Sequence, residues 1–262
     1  MIEKLLKTKN KTQALIFVEA RFSNLDHYIN EYLKSFLDDP EDKLRIVKKS
    51  YVDLVEINGY INGIKKQDIL NIQNRFANTP FEKSKKRFYV IQGIEVTNNE
   101  AMNSLLKYIE EPQEDVYCVL TTRNIAKVLP TIRSRCHVIY LKSETELVKQ
   151  ELKKLNFDED KTNYIYQSYF NIEEFKKDLN SGLFDESINF IESLIANIHS
   201  IKGIKQLQTQ FKSFEYYQIN KILLFLRVRI QKHQDKIIEL INHLSLYPSK
   251  TLIFNEMWKM II

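Results

Sequence analysis

Tyr89 to Leu141 reads YVIQGIEVTNNEAMNSLLKYIEEPQEDVYCVLTTRNIAKVLPTIRSRCHVIYL, and its pattern decides the fold. The apolar run Arg87–Gln92 (RFYVIQ) predicts a buried strand. A helix is predicted over Asn99–Glu110, capped by Thr97 or Asn98 and ended by Pro112, which cannot continue a helix. Met102, Leu105, Leu106 and Ile109 would form its apolar face. Val116–Thr122 (VYCVLTT) is the next strand, then comes a loop with a short helix, and His137–Leu141 is a short last strand. Upstream, Gln13–Glu19 (QALIFVE) and Asp53–Ile57 (DLVEI) also read as strands. Helices over Leu25–Leu37, capped by Ser23 or Asn24, and over Lys66–Asn78, with Ile69, Ile72 and Phe76 on one face, lie between the strands. Near-continuous apolar strands alternating with helices call for a parallel sheet covered on both faces.

After Leu141 the period changes, and only amphipathic helices are predicted. One covers Glu144–Leu155 and one Asp235–Leu246; Ile188, Ile191, Ile195 and Ile198 mark another, and Ile219, Ile222, Leu223, Leu226 and Ile230 a fourth. These stripes are expected to be bundle core, with a soft point at Gly182.

The 262 residues include five glycines, at Gly59, Gly63, Gly93, Gly182 and Gly203. Average usage would give roughly 18. No pair of them makes a P-loop and no triple makes a dinucleotide fingerprint, so a glycine-loop nucleotide site is not expected. The net charge of +5 is compatible with nucleic acid or an acidic partner without requiring either. Two cysteines with no CxxC spacing, and five histidines without metal spacing, imply neither a disulfide framework nor a metal site. No apolar h-region opens the chain and no apolar run reaches membrane-spanning length, so a cytoplasmic protein with no membrane partner is expected.

Asn103-Ser-Leu-Leu-Lys-Tyr-Ile-Glu-Glu-Pro112 resembles the NALLK-x-LEEP helix of bacterial clamp-loader subunits of the AAA+ family, and Leu129-Pro-Thr-Ile-Arg-Ser-Arg-Cys136 resembles their LPTIRSRC segment. The specific resemblance covers about Asp53 to Leu141. It implies an AAA+-like α/β domain over 1–141, followed by an all-helical lid over 142–185 and an all-helical collar, the oligomerisation domain, over 186–262.

The resemblance also shows what this chain has lost. The P-loop position reads Val18, Glu19, Ala20, Arg21, Phe22, Ser23, Asn24, with no glycine to wrap phosphates and no lysine to balance their charge. Glu19 would set a negative charge there. The Walker B position holds Gln92, a poor Mg²⁺ ligand. Glu95 stands either for a later acidic residue of that motif or as a solvated turn residue. No nucleotide cofactor is therefore expected, and no ATP hydrolysis by this chain alone.

What the resemblance leaves intact is Ser134-Arg135-Cys136. Arg135 would be an arginine finger, offered in trans to ATP on a neighbouring subunit, with Ser134 supporting the loop. A lost nucleotide site with a kept finger resembles the delta-prime class of DNA polymerase III clamp-loader subunit. Its partners would be gamma/tau and delta subunits, with the sliding clamp and primed DNA reached through the complex. Arg133 would be structural and Cys136 a small buried hydrophobe. Thr121 and Thr122 would be a vestigial sensor. Lys107 would be either a solvated lysine or a contact to a DNA phosphate, and Lys83, Lys85, Lys86 and Arg87 a solvated loop or a basic patch. Two other readings remain: an active motor subunit of the gamma/tau type with an unusual nucleotide site, and a stand-alone nucleic-acid-binding module.

Overall fold

A computed structural model of the chain describes residues 12–230 and 232–262. The expectation that no leader opens the chain falls on residues outside the described ones. The chain divides into two compact units, 1–144 and 145–262.

The first unit is built on five parallel strands: β1 (Ala14–Val18), β2 (Leu54–Asn58), β3 (Arg87–Gln92), β4 (Val116–Thr122) and β5 (His137–Tyr140). Their order is β2-β3-β4-β1-β5. Burial alternates with the pleat, as it must when both faces are covered. Ile16, Tyr89, Ile91, Cys118 and Leu120 point to one face, where α4 (Lys66–Phe76) and α5 (Asn99–Glu110) cover them. Leu15, Phe17, Phe88, Val90 and Val119 point to the other, under α1 (Leu25–Lys34) and α2 (Pro40–Val47). Each such fully buried side chain contributes about 1.5–3 kcal/mol.

Caps set the helix starts. The Asn24 side chain accepts from the His27 amide, and that of Asn98 from the Ala101 amide. On α5 the buried residues are Ala101, Met102, Leu105, Tyr108 and Ile109. Tyr108 thus joins the predicted apolar face, while Leu106 is only half-buried. Two short helices complete the unit, α3 (Gly59–Asn62) and α6 (Pro130–Arg133). The loop before β3 is held by Glu82, whose carboxylate accepts from the two terminal nitrogens of Arg45, Nη1 at 2.7 and Nη2 at 2.6 Å, and from the Val52 amide at 2.7 Å.

The second unit is all helical: α7 (Thr145–Lys154), α8 (Glu159–Ser168), α9 (Ile172–Asn180), α10 (Leu183–Ala196), α11 (Ile201–Ser213), α12 (Tyr216–Arg229), α13 (Gln234–Asn242) and α14 (Lys250–Ile261). Helices on both sides of residue 185 pack together, α9 on α10 and α8 on α12. Aromatic rings fill the core, with Phe175 and Phe184 edge-to-face at 5.2 Å. The α10 stripe differs from the predicted one: Phe184, Ser187, Phe190, Ile191 and Leu194 are buried, and Ile188, Ile195 and Ile198 are not. The helix begins at Leu183, after Gly182 at φ +79°, and its two phenylalanines centre the buried face on Phe184, Phe190 and Ile191, leaving the other three isoleucines half-buried.

The α12 stripe holds at Ile219, Ile222, Leu223 and Leu226, with Lys221 buried among them at 4% exposure. Its ammonium donates to Glu174 Oε1 at 2.6 Å and to the Ser168 carbonyl at 3.0 Å, and lies 3.9 Å from the Tyr169 ring centroid. Beside it the Tyr217 hydroxyl donates to Asp178, itself 2% exposed, with its carboxylate oxygens 3.0 and 3.2 Å away. No helix among the described residues is long and apolar enough to cross a membrane.

Candidate functional site

In an open parallel sheet, ligands bind outside the carboxyl ends of the strands, where the strand order reverses. Here that point lies between β1 and β4, whose connections run to opposite sides of the sheet. A short polar turn follows β1. Six residues, 19–24, join Val18 to Leu25. Phe22 sits in the left-handed region at φ +55° with its ring buried, and the Ser23 amide closes the turn on the Ala20 carbonyl at 3.1 Å. Arg21 is exposed and its guanidinium lies over the Phe22 ring.

Five side chains meet at this crevice. Glu19, 7% exposed, accepts the Thr121 hydroxyl at 2.6 Å across the β1–β4 boundary. Tyr60, at the start of α3, donates to Glu95 Oε1 at 2.9 Å and reaches Glu19 at 3.4 Å. Glu95 also accepts the Arg123 amide at 2.9 Å. The Arg123 guanidinium lies 4.0 Å above the Tyr60 ring and 3.7 Å from Glu19. Burial raises the Glu19 carboxyl pKa; the Thr121 hydroxyl and the Arg123 charge pull it back, while the Glu95 charge raises it further. Burial and the two carboxylates also push the Tyr60 hydroxyl far up.

Glu95 is thus a bonded, half-buried group and not a solvated turn residue. Gln92 accepts from the Asn58 amide at 3.0 Å, and Thr121, fully buried, also accepts the Gly93 amide at 3.3 Å. Thr122, equally buried, accepts the Asn124 amide at 3.1 Å. The residues here do not fit the phosphates of a nucleoside triphosphate: the turn 19–24 holds no glycine to cradle them, and Glu19 and Glu95 bring two carboxylates to the crevice.

Gly93 carries the turn. Its φ is +74°, and a Cβ there would lie 2.9 Å from the Tyr60 ring. Gly93→Ala is expected to cost about 2 kcal/mol, from the left-handed backbone and the displaced ring, read as a lower urea midpoint with an unchanged slope.

The second feature is the Ser-Arg-Cys turn after α6. Arg135 is exposed. Its Nη1 donates to the Thr131 carbonyl at 3.0 Å and to Ser134 Oγ at 3.3 Å, and its Nη2 pairs with Glu110 at 2.8 Å. Glu110 ends α5, so the ion pair joins the two sequence motifs. Ser134 Oγ donates to the Thr131 carbonyl at 3.0 Å. Cys136 is buried, and burial pushes its thiol up to about 12, far from a reactive thiolate. Arg133 is half-buried, and Lys107 is exposed on α5.

The basic run divides. Lys86 pairs with Asp115, and Arg87 donates to the Phe76 and Glu114 carbonyls, so both serve the fold and not a solvated patch; Lys83 and Lys85 are exposed. Tyr60 and Arg123 were not legible as site residues. The available signal was Glu19 itself, a charge ending an apolar strand and needing buried partners.

Residues 1–145 match the protein family described as DNA polymerase III, delta subunit, which is more than half of the chain. The chain belongs to this family. An uncharacterized protein of Mycoplasma pneumoniae is 26% identical over 254 residues, 94% of this chain and 97% of that one. The DNA polymerase III subunit delta' of Bacillus subtilis is 37% identical over 95 residues, which is 36% of this chain and 29% of that subunit. A DNA polymerase III gamma subunit-related protein of Thermotoga maritima shares the fold over 100% of this chain and 99% of its own, with a TM-score of 0.61 at 16% identity. This chain and that gamma subunit-related protein therefore share one architecture, a parallel sheet followed by helices.

Proposed function

We propose that the chain is a delta-prime-type subunit of a DNA polymerase III clamp loader, one that does not hydrolyse ATP and lends Arg135 to ATP held by a neighbouring gamma/tau-type subunit. The observation that carries this reading is the exposed guanidinium of Arg135, held by the Thr131 carbonyl, Ser134 and Glu110 at the end of a short helix. A planar, permanently charged group presented this way can stabilise charge spreading over a γ-phosphoryl group. Its hold on Glu110 is a surface ion pair, worth about 0–1 kcal/mol, so transfer to a phosphate costs little. With the delta and gamma/tau subunits, the complex would place the sliding clamp on primed DNA. The helical unit 145–262 would supply the lid and the collar that join the ring.

The gamma-type likeness of the solved structure favours a second reading, an ATP-hydrolysing motor subunit. Calorimetry of the isolated chain at millimolar ATP and Mg²⁺ separates the two. No binding heat is expected, whereas saturable binding would replace the delta-prime reading with the motor reading.

A further inference from the structure

We propose that the side chains of Glu19, Tyr60, Glu95, Thr121 and Arg123 form an internal substitute for a bound nucleotide, tying the strand ends and the start of the segment that carries Arg135 into one rigid piece without any ligand. The crevice between β1 and β4 is open by topology in any sheet of this order, because the two connections leave in opposite directions. Something has to hold its lips together. In P-loop NTPases generally the loop after the first strand cradles the phosphates and the Walker B strand holds their metal ion, so the ligand itself ties strand ends together.

In this chain each of those places is joined to the others by a protein group. The loop after β1 begins with Glu19, which is bonded to Thr121 at the end of β4. The turn after β3 contributes Glu95, bonded to the backbone amide of Arg123 just beyond β4. Tyr60, from the helix after β2, reaches both carboxylates and underlies the guanidinium of Arg123. Four strand ends therefore meet in one network, and its only cation among these five residues is the Arg123 guanidinium.

The placement of Arg123 links the network to the finger. Arg123 opens the segment through Ile125–Lys127 and α6 that ends at Arg135. One end of that segment is fixed by Arg123 to Glu19 and Glu95, and the other by Arg135 to Glu110. A rigid carrier spares the guanidinium much of the entropy cost of being positioned on its target.

This inference shares with the proposed function the premise that the chain holds no nucleotide of its own, but it does not depend on the finger role of Arg135. Hydrogen exchange on the full chain tests it. Arg123→Ala leaves the buried Glu19 without its cation and the Tyr60 ring without the guanidinium stacked on it, while the backbone bond to Glu95 remains, and exchange in residues 19–24, 93–98 and 122–128 is expected to rise by about a hundredfold. Exchange in 145–262 should not change. Tyr60→Phe, which removes one hydroxyl and keeps the ring, is expected to loosen the same segments by about tenfold. It serves as the test if Arg123→Ala does not fold. Unchanged exchange in the folded variants would overturn the proposal. So would protection of these segments in the wild-type chain by ATP and Mg²⁺, an outcome that would also remove the shared premise. Loosened segments in a complex whose ATPase ignores Arg135→Ala would leave the internal tie standing while the finger reading fell.

Discussion

Arg135→Ala is expected to lower ATP hydrolysis at the neighbouring subunit's site by about 10³-fold, the lower end of what an arginine finger supplies, while leaving the chain folded and assembled. The folding half of this expectation follows from exposure. The guanidinium's partners are one backbone carbonyl, one hydroxyl and one surface carboxylate, so their loss should cost no more than about 1 kcal/mol. The catalytic half follows from charge: the γ-phosphoryl oxygens gain stabilisation only from a group that reaches them in the transition state. Arg135→Lys keeps the charge and loses the planar fork, so it should recover only part of the rate. Single-turnover hydrolysis in the reconstituted complex, with circular dichroism and gel filtration as controls, makes the measurement. Full activity in the alanine variant would refute the finger role.

Lys221→Ala is expected to destabilise the helical unit by about 3–5 kcal/mol, because it removes the cation from a buried network. Glu174 would lose its 2.6 Å partner and the Ser168 carbonyl its donor, inside a core walled by Tyr169 and Phe225. At about 2–4 °C per kcal/mol for a protein this size, the melting temperature should fall by roughly 10 °C. Lys221→Met tests the cause, since it refills the volume and leaves the polar partners unsatisfied; it should recover the packing share of the loss and no more. A Lys221→Ala melt within 2 °C of wild type, in a scan where about 2 °C is the smallest effect of one kcal/mol, would show the network to be dispensable.

The sheet was legible because burial on both faces writes itself as apolar runs: β3, β4 and α5 match their predicted bounds. Helix α2 was not foreseen. It is short and rich in charge (PEDKLRIV), and its signals were Asp39, which caps the Glu41 amide, and Pro40 at the first helical position. Lys221 was hidden for the opposite reason. The stripe around it is apolar enough to set the helix face alone, and nothing local shows that Glu174 stands opposite. At the candidate site, Glu19 and Gln92 were visible as departures from a motif. Tyr60 and Arg123 were not, because Tyr60 lies 41 residues from Glu19 and only the fold brings them together.

The two ion pairs at the ends of the segment that carries Arg135 differ in their access to dissolved salt. Arg135 and Glu110 are 41% and 37% exposed, and at physiological ionic strength charges are screened over about 8 Å. Arg123 faces a Glu19 whose side chain is only 3% exposed, where screening by dissolved ions is weaker. Rising salt should therefore weaken the hold at one end of the segment more than at the other. The tip that carries Arg135 would then respond to its ionic surroundings more than its root does.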